Sequence, residues 1–204
     1  MVFTVTDESG GSGIKLSTLI VKQDDTTVSS SAITTSAITN GYTVTYTPAN
    51  ALSDGSHTVT IDVSDNDGNA ATQKSTTYII DTVAPTLNIT SPTEGMSTSS
   101  TSVTVAGTTN DATSSPVTLT MALDSGAAQA VTVATNGSFT KTFTGLSHGS
   151  HKVVIVATDA AGKATTITRN FTVDTSAPVI SKITITPNPA NAGSTMTISV
   201  VVSG

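Results

Sequence analysis

The chain contains neither cysteine nor tryptophan, and aromatic residues make up only 3% of it. Without thiols it forms no disulfide staple and no thiolate metal site. The compartment stays open, because a two-sheet domain of about one hundred residues does not need a disulfide. Basic residues are scarce too. Eight Lys and Arg face fourteen Asp and Glu, for a net charge of −6, and no Lys/Arg cluster occurs anywhere. Nucleic acid and anionic membrane surfaces are therefore not expected partners. No apolar run approaches the roughly 20 residues of a membrane-spanning helix, so no membrane insertion is expected within this chain. Met1 leads straight into strand-like sequence rather than a signal peptide, so an export signal, if there is one, is expected outside this chain. A Gly-x-Ser-x-Gly elbow, a phosphate loop and a His-Glu-x-x-His motif are all missing, and Ser and Thr are too common for any drawn triad to carry information. No enzyme is expected.

What the sequence does have is a phrase stated twice. Ser64 to Asn69, a strand, and Ile79 to Pro85 are answered by Thr158 to Lys163, a strand, and Thr172 to Pro178. Each copy reads as a hairpin turn, a last strand, and a linker whose proline cannot continue the sheet. The linker aspartates Asp81 and Asp174 are 93 residues apart (174 − 81), as are Pro85 and Pro178. That period is one sandwich domain. The expected division is 1–82 for a domain lacking its first strand, 83–175 for a complete one, and 176–204 for the first two strands of a third copy.

Hydrophobic residues amount to 36%, so the cores must be built from Val, Ile, Leu and Ala, with thin contributions from Tyr and Phe. Threonine alternates with them, as suits the solvent face of a strand. In the first copy Tyr42, Val44 and Tyr46 follow the Asn40-Gly41 turn, and Val59, Ile61 and Val63 follow Gly55-Ser-His57. In the second, Leu87 and Ile89, Val103 and Val105, Val117 to Leu123, Val131 and Val133, Phe139 and Phe143, Val153 to Ala157, and Phe171 and Val173 make seven period-two runs, with Thr108 to Ser115 as a polar loop. The fold class is all-β, two-sheet sandwiches.

The segments Asp54 to Ile61 and His148 to Ile155, the Asp-x-x-Gly hairpins and the two Asp-Thr-x-Ala-Pro linkers resemble the bacterial immunoglobulin-like repeats found in tandem in large surface adhesins and other extracellular proteins. The resemblance spans nearly the whole chain. It implies tandem immunoglobulin-like β-sandwiches, an extracellular or cell-surface location, and neighbouring repeats of the same polypeptide as partners. The function expected is a non-catalytic spacer or stalk module of a secreted or cell-surface, adhesin-like protein. The alternatives are a carbohydrate- or protein-binding accessory module of an extracellular enzyme, or a filament subunit. In the last case one chain's C-terminal strands would complete the next chain's first domain by strand donation. A fragment of a longer array would account for the same ends.

The residues that carry chemistry are mostly aspartates, which supply twelve of the fourteen acids. Asp65-x-Asp67-x-Asn69 has the alternating oxygens of a calcium loop but not the helix-loop-helix pattern, since Ala70 and Thr76 stand where glycine and glutamate belong. Topology is expected to bring Asp81 from the linker together with Asp111 and Asp159 from loops of the second copy, a hard-oxygen set suited to calcium. Asp7, Glu8, Asp65 and Asp67 are expected to cluster in the same way at one end of the first copy. Related adhesin repeats bind calcium at such junctions, whereas Lys163, in the position of Asn69, speaks against a strong site. The alternative is a set of turns chosen for backbone preference. His57 and His151 occupy one repeat position and are expected to hydrogen-bond back to the preceding loop rather than to bind zinc.

Overall fold

The computed structural model describes residues 1–203. It divides into two compact units, Met1–Val83 with Ala112–Ser115, and the rest of the described chain.

The first unit contains β1 (Val2–Thr6), β2 (Ile14–Gln23), β3 (Thr26–Thr27), β4 (Ile33–Ile38), β5 (Gly41–Tyr46), β6 (Gly55–Asp65) and β7 (Lys74–Ile80). They form two antiparallel sheets, ordered β1-β5-β4 and β3-β2-β6-β7. Period-two patterning decides which residues face inward: Val44 and Tyr46 of β5 and Val59 and Val63 of β6 are buried, and the threonines between them are not. Gly41 is required by close approach, since a Cβ there would lie 2.0 Å from the Val5 carbonyl oxygen. In β2 the ladder slips between Lys15 and Ile20. The Thr18 hydroxyl stitches the slip, donating to the Lys15 carbonyl and accepting from the Ser64 amide, both at 2.8 Å.

The second unit contains β8 (Thr86–Ser91), β9 (Met96–Thr98), β10 (Ser102–Asn110), β11 (Thr118–Leu123), β12 (Gln129–Val131), β13 (Ser138–Thr144), β14 (Gly149–Thr158) and β15 (Ala164–Val173). Its sheets run β13-β10-β8 and β12-β11-β14-β15-β9, with β9 parallel to β15. Beyond them β16 (Val179–Thr186) and β17 (Thr197–Ser203) pair only with each other, and every residue of both is exposed. The all-β, two-sheet reading of the sequence holds in both units.

One continuous core of twelve buried residues fills the second unit, whereas the first has two clusters of three. The difference traces to the edges. Ile89 of β8 is buried in the second core, and Leu87 and Met96 pack against it; the first unit has no strands in those two roles. Each fully buried aliphatic side chain contributes about 1.5–3 kcal/mol, so the second unit has much the larger apolar stabilisation.

Several elements carry no readable period. β3 and β9 are too short to show a period, and β4 has no buried residue, so its sequence lacks an apolar face to read. The expected polar loop at Thr108 to Ser115 begins later than its composition suggests, because β10 runs to Asn110. Thr109 is buried there and its hydroxyl donates to the Thr86 carbonyl at 2.7 Å, which satisfies the polar atom inside the sheet edge.

Phe171 is 2% exposed and stacks on His151 with ring centroids 5.5 Å apart. Phe171→Ala is expected to destabilise the second unit by about 3–5 kcal/mol. Denaturant unfolding followed by a probe within residues 84–175 measures it. A loss below about 1 kcal/mol would mean that the ring is not a core anchor.

Candidate functional site

The two units carry the same polar clasp. Asp24, after β2, and Asp124, after β11, both adopt left-handed backbone, with φ of 49° and 52°. Aspartate tolerates this conformation where a β-branched residue would not. In the first unit Asp24 Oδ1 accepts from the Thr58 amide at 2.8 Å and Oδ2 from His57 Nδ1 at 2.7 Å, while His57 Nε2 donates to the Ser53 carbonyl at 2.8 Å. In the second, Asp124 Oδ1 accepts from Lys152 N, Oδ2 from His151 Nδ1, and His151 Nε2 donates to Ser147 O, each at 2.9 Å. Each imidazole thus ties three segments together: the strand it belongs to, the loop before that strand, and a turn far off in sequence. The backward bond to the loop agrees with the sequence reading; the aspartate partner was not foreseen.

Both ring nitrogens face acceptors, a carboxylate and a carbonyl, so only the doubly protonated imidazolium satisfies the geometry. The hydrogen bond to Asp24 raises the pKa of His57, with the Ser53 carbonyl adding to it. The Ser147 carbonyl and then Asp124 raise that of His151. In return the His57 hydrogen bond, helped by the Thr58 amide, lowers Asp24 to about 2. Burial pushes Asp124 up, but the bonds from His151 and Lys152 outweigh it and leave the carboxyl lowered.

The linkers share a second motif. Asp81 Oδ1 accepts from the Val83 amide and Asp174 Oδ1 from the Ser176 amide, both at 3.0 Å, so each Asp-Thr-x-Ala-Pro begins with an aspartate turn. Thr82 donates through its amide and hydroxyl to Asp54 at 2.9 Å, and at the matching position the Thr175 amide donates to His148 Nδ1 at 3.2 Å. His148 holds a linker.

The remaining candidate carboxylates separate into satisfied and unsatisfied ones. Asp7 accepts from the Glu8 and Gly13 amides, and Asp65 from both the amide and the side-chain Nδ2 of Asn69. The Glu8 interaction lowers Asp7 and the Asn69 side chain lowers Asp65. Asp67 is exposed, and its amide donates to Ser12 Oγ. Asp159 repeats the Asp65 turn, its Oδ1 accepting from Lys163 N at 2.9 Å, but lysine has no amide oxygen-and-nitrogen head to offer the other oxygen. Asp159 is 5% exposed, and its Oδ2 is buried with no hydrogen-bond partner. Asp111, also buried in the second unit, brings a carboxylate oxygen within 4.8 Å of one from Asp159. In the first unit Asp81 likewise has a buried, unpartnered Oδ2.

The clasp makes stability depend on pH. A raised histidine pKa contributes stability that is complete below the unfolded value of 6.5 and lost as pH climbs through the folded value. A lowered aspartate contributes above 3.8 and is lost as pH falls toward about 2. Melting temperature is therefore expected to peak between roughly pH 4 and 6.5 and to decline as pH rises through the raised histidine values. The double variant His57→Gln/His151→Gln should flatten the upper limb; an unchanged slope would show that the imidazoles are neutral in the fold.

Residues 3–82 match the family described as bacterial Ig-like domain, and residues 85–175 match that described as glucodextranase, domain B. No curated protein matches the chain. Among solved structures it is similar to the fibronectin(III)-like modules of Clostridium thermocellum CbhA (15% identity, 85% of each chain covered, TM-score 0.47). It is also similar to a tetra-tandem repeat in the extending region of a large adhesion protein (21% identity, 91% of this chain and 55% of that one, TM-score 0.40). A third is the Bacteroides ovatus glucan-locus protein SGBP-B, in complex with a mixed-linkage heptasaccharide (16% identity, 86% and 43%, TM-score 0.27). The two-sheet fold and the family match over residues 3–82 make the first unit a bacterial immunoglobulin-like domain.

Proposed function

We propose that the chain is a non-catalytic spacer, a run of stalk modules in a secreted or cell-surface bacterial protein of the adhesin type. The observation that carries this reading is duplication of the linker hardware: the aspartate turn and the anchored linker threonine occur in both copies. Repeating the means of connection is what a tandem array needs, since each module must hand the chain on in a fixed way. A second reading, an accessory module of a glycan-active enzyme, draws on the glucodextranase domain B match over 85–175. Against it, all seven aromatic side chains are buried or half-buried, which leaves no exposed ring on which a sugar could stack.

Calcium is part of the same reading. Asp111 and Asp159 would hold the ion in the second unit, and the orphaned Oδ2 of Asp159 is the motive. A buried carboxylate oxygen without a donor is costly, and a hard cation offsets the cost by taking it as a ligand.

Two measurements test these statements. Pulled from its ends, a spacer is expected to give separate unfolding events, each releasing roughly 30 nm for a 93-residue period. Specific binding to a panel of bacterial and plant glycans would replace the spacer reading with the accessory one. For calcium, millimolar additions are expected to raise the melting temperature by several degrees, an effect that Asp159→Ala abolishes. No response to calcium in the unaltered chain would remove the ion.

A further inference from the structure

β4 is an edge strand in the middle of the first unit's sequence. It pairs with β5 through six consecutive residues without a register shift, and with no described strand on its other side. Ile33 is half-buried and the five residues after it are exposed. Thr35 and Ala37 lie opposite Val44 and Tyr42 in the ladder and share the phase that faces the core, but β3, across the sandwich, has only two residues and leaves them uncovered. Edge strands are ordinarily blunted by brevity, by a lysine or proline, or by a bulge. In the second unit β9 and β12 have three residues each, and β13 has Lys141 at its centre. β4 has none of these devices: it is six residues long, regular and uncharged.

Two features of the strand fit it to a copy of itself. The first is charge. No Asp, Glu, Lys or Arg occurs from Thr26 to Ser53, in a chain whose net charge is −6, so two copies that meet at β4 bring no acids face to face. The second is the placement of apolar surface at its ends. Ile38, at one end, is 41% exposed. At the other end a concavity of about 530 Å³ opens, lined by Val28, Ala32, Tyr46 and Pro48 among others. An antiparallel pair has its ends opposed, so each Ile38 comes to the end of the neighbouring strand where the apolar concavity lies. A parallel pair would set Ile38 beside Ile38 and leave both concavities unfilled.

We propose that the free edge of β4 is a homotypic interface, at which two copies of this chain pair β4 to β4 antiparallel about a two-fold axis close to Thr35. The two three-stranded sheets then join into one continuous sheet, and the same patch serves both copies, as a closed two-fold dimer requires. A single strand pair buries less than a standard interface, so the contact is weak and reversible. It does not rest on the spacer reading, because it concerns side-by-side association of chains and not what the chain holds apart.

Sedimentation equilibrium of the full chain from micromolar to millimolar concentration is expected to show monomers in reversible exchange with dimers, and amide exchange at Ile33–Ile38 should slow as the dimer forms. Thr35→Lys, at an exposed position, brings two lysines close to the axis and should weaken association severalfold while the melting temperature of the dilute chain stays nearly unchanged. Thr35→Glu alone should do the same. Mixed in equal amounts, the two variants should associate again, because the charges that meet across the axis are then of opposite sign. Four results would overturn the proposal: a chain monomeric up to millimolar concentration, association that Thr35→Lys leaves intact, a mixture that binds no more tightly than either variant alone, or protection that appears only away from residues 33–38.

Discussion

A sandwich whose core is mostly aliphatic holds its sheets together by non-directional burial, and burial says little about loops. In this chain the loops at one end of each unit are fixed instead by a charged hydrogen-bond group, the imidazolium between an aspartate and a backbone carbonyl. Charge-assisted bonds are roughly twice as strong as neutral ones, and His57 and His151 are nine-tenths buried, so water competes poorly for them. Directionality matters as much as strength. The ring fixes the spacing between the strand that carries it and the turn at Asp24 or Asp124, and with it the register in which β2 meets β6 and β11 meets β14. A disulfide would do this in many extracellular domains. With no cysteine available, the clasp does it by protonation.

The repeat itself was legible because it rests on short-range signals. Gly before His, Asn before Gly, and Asp-Thr-x-Ala-Pro are local patterns with local physical causes, and the all-β character of the chain follows from them and from the period-two runs between them. The aspartate partners of the two histidines were not legible, since they lie 33 and 27 residues away and only register brings them near. A signal was present all the same: Asp24 and Asp124 each follow an inward-phased strand by one or two residues. Likewise β4 left no trace, because a strand without a buried residue has no period to detect.

The candidate acids show where two copies of one design have diverged. Asp65 and Asp159 build the same turn, but Asn69 returns a side-chain hydrogen bond and Lys163 does not. The first copy therefore closes its turn internally, and the second leaves an acceptor open in a buried place. Read from sequence, Lys163 argues against a cation by its charge. Its larger effect in the fold is the donor that it fails to supply.

The clasp aspartates also restrict what sequence drift can do. Left-handed backbone at Asp24 and Asp124 is comfortable for Gly, Asn and Asp, while the charge that the imidazolium faces needs Asp or Glu. Each demand alone admits several residues; together they admit one. A family of such modules can exchange most of its strand residues within an aliphatic or hydroxyl class and still fold. At this single turn position the alphabet has one letter, and a change to asparagine would keep the shape of the loop while silencing its response to protons.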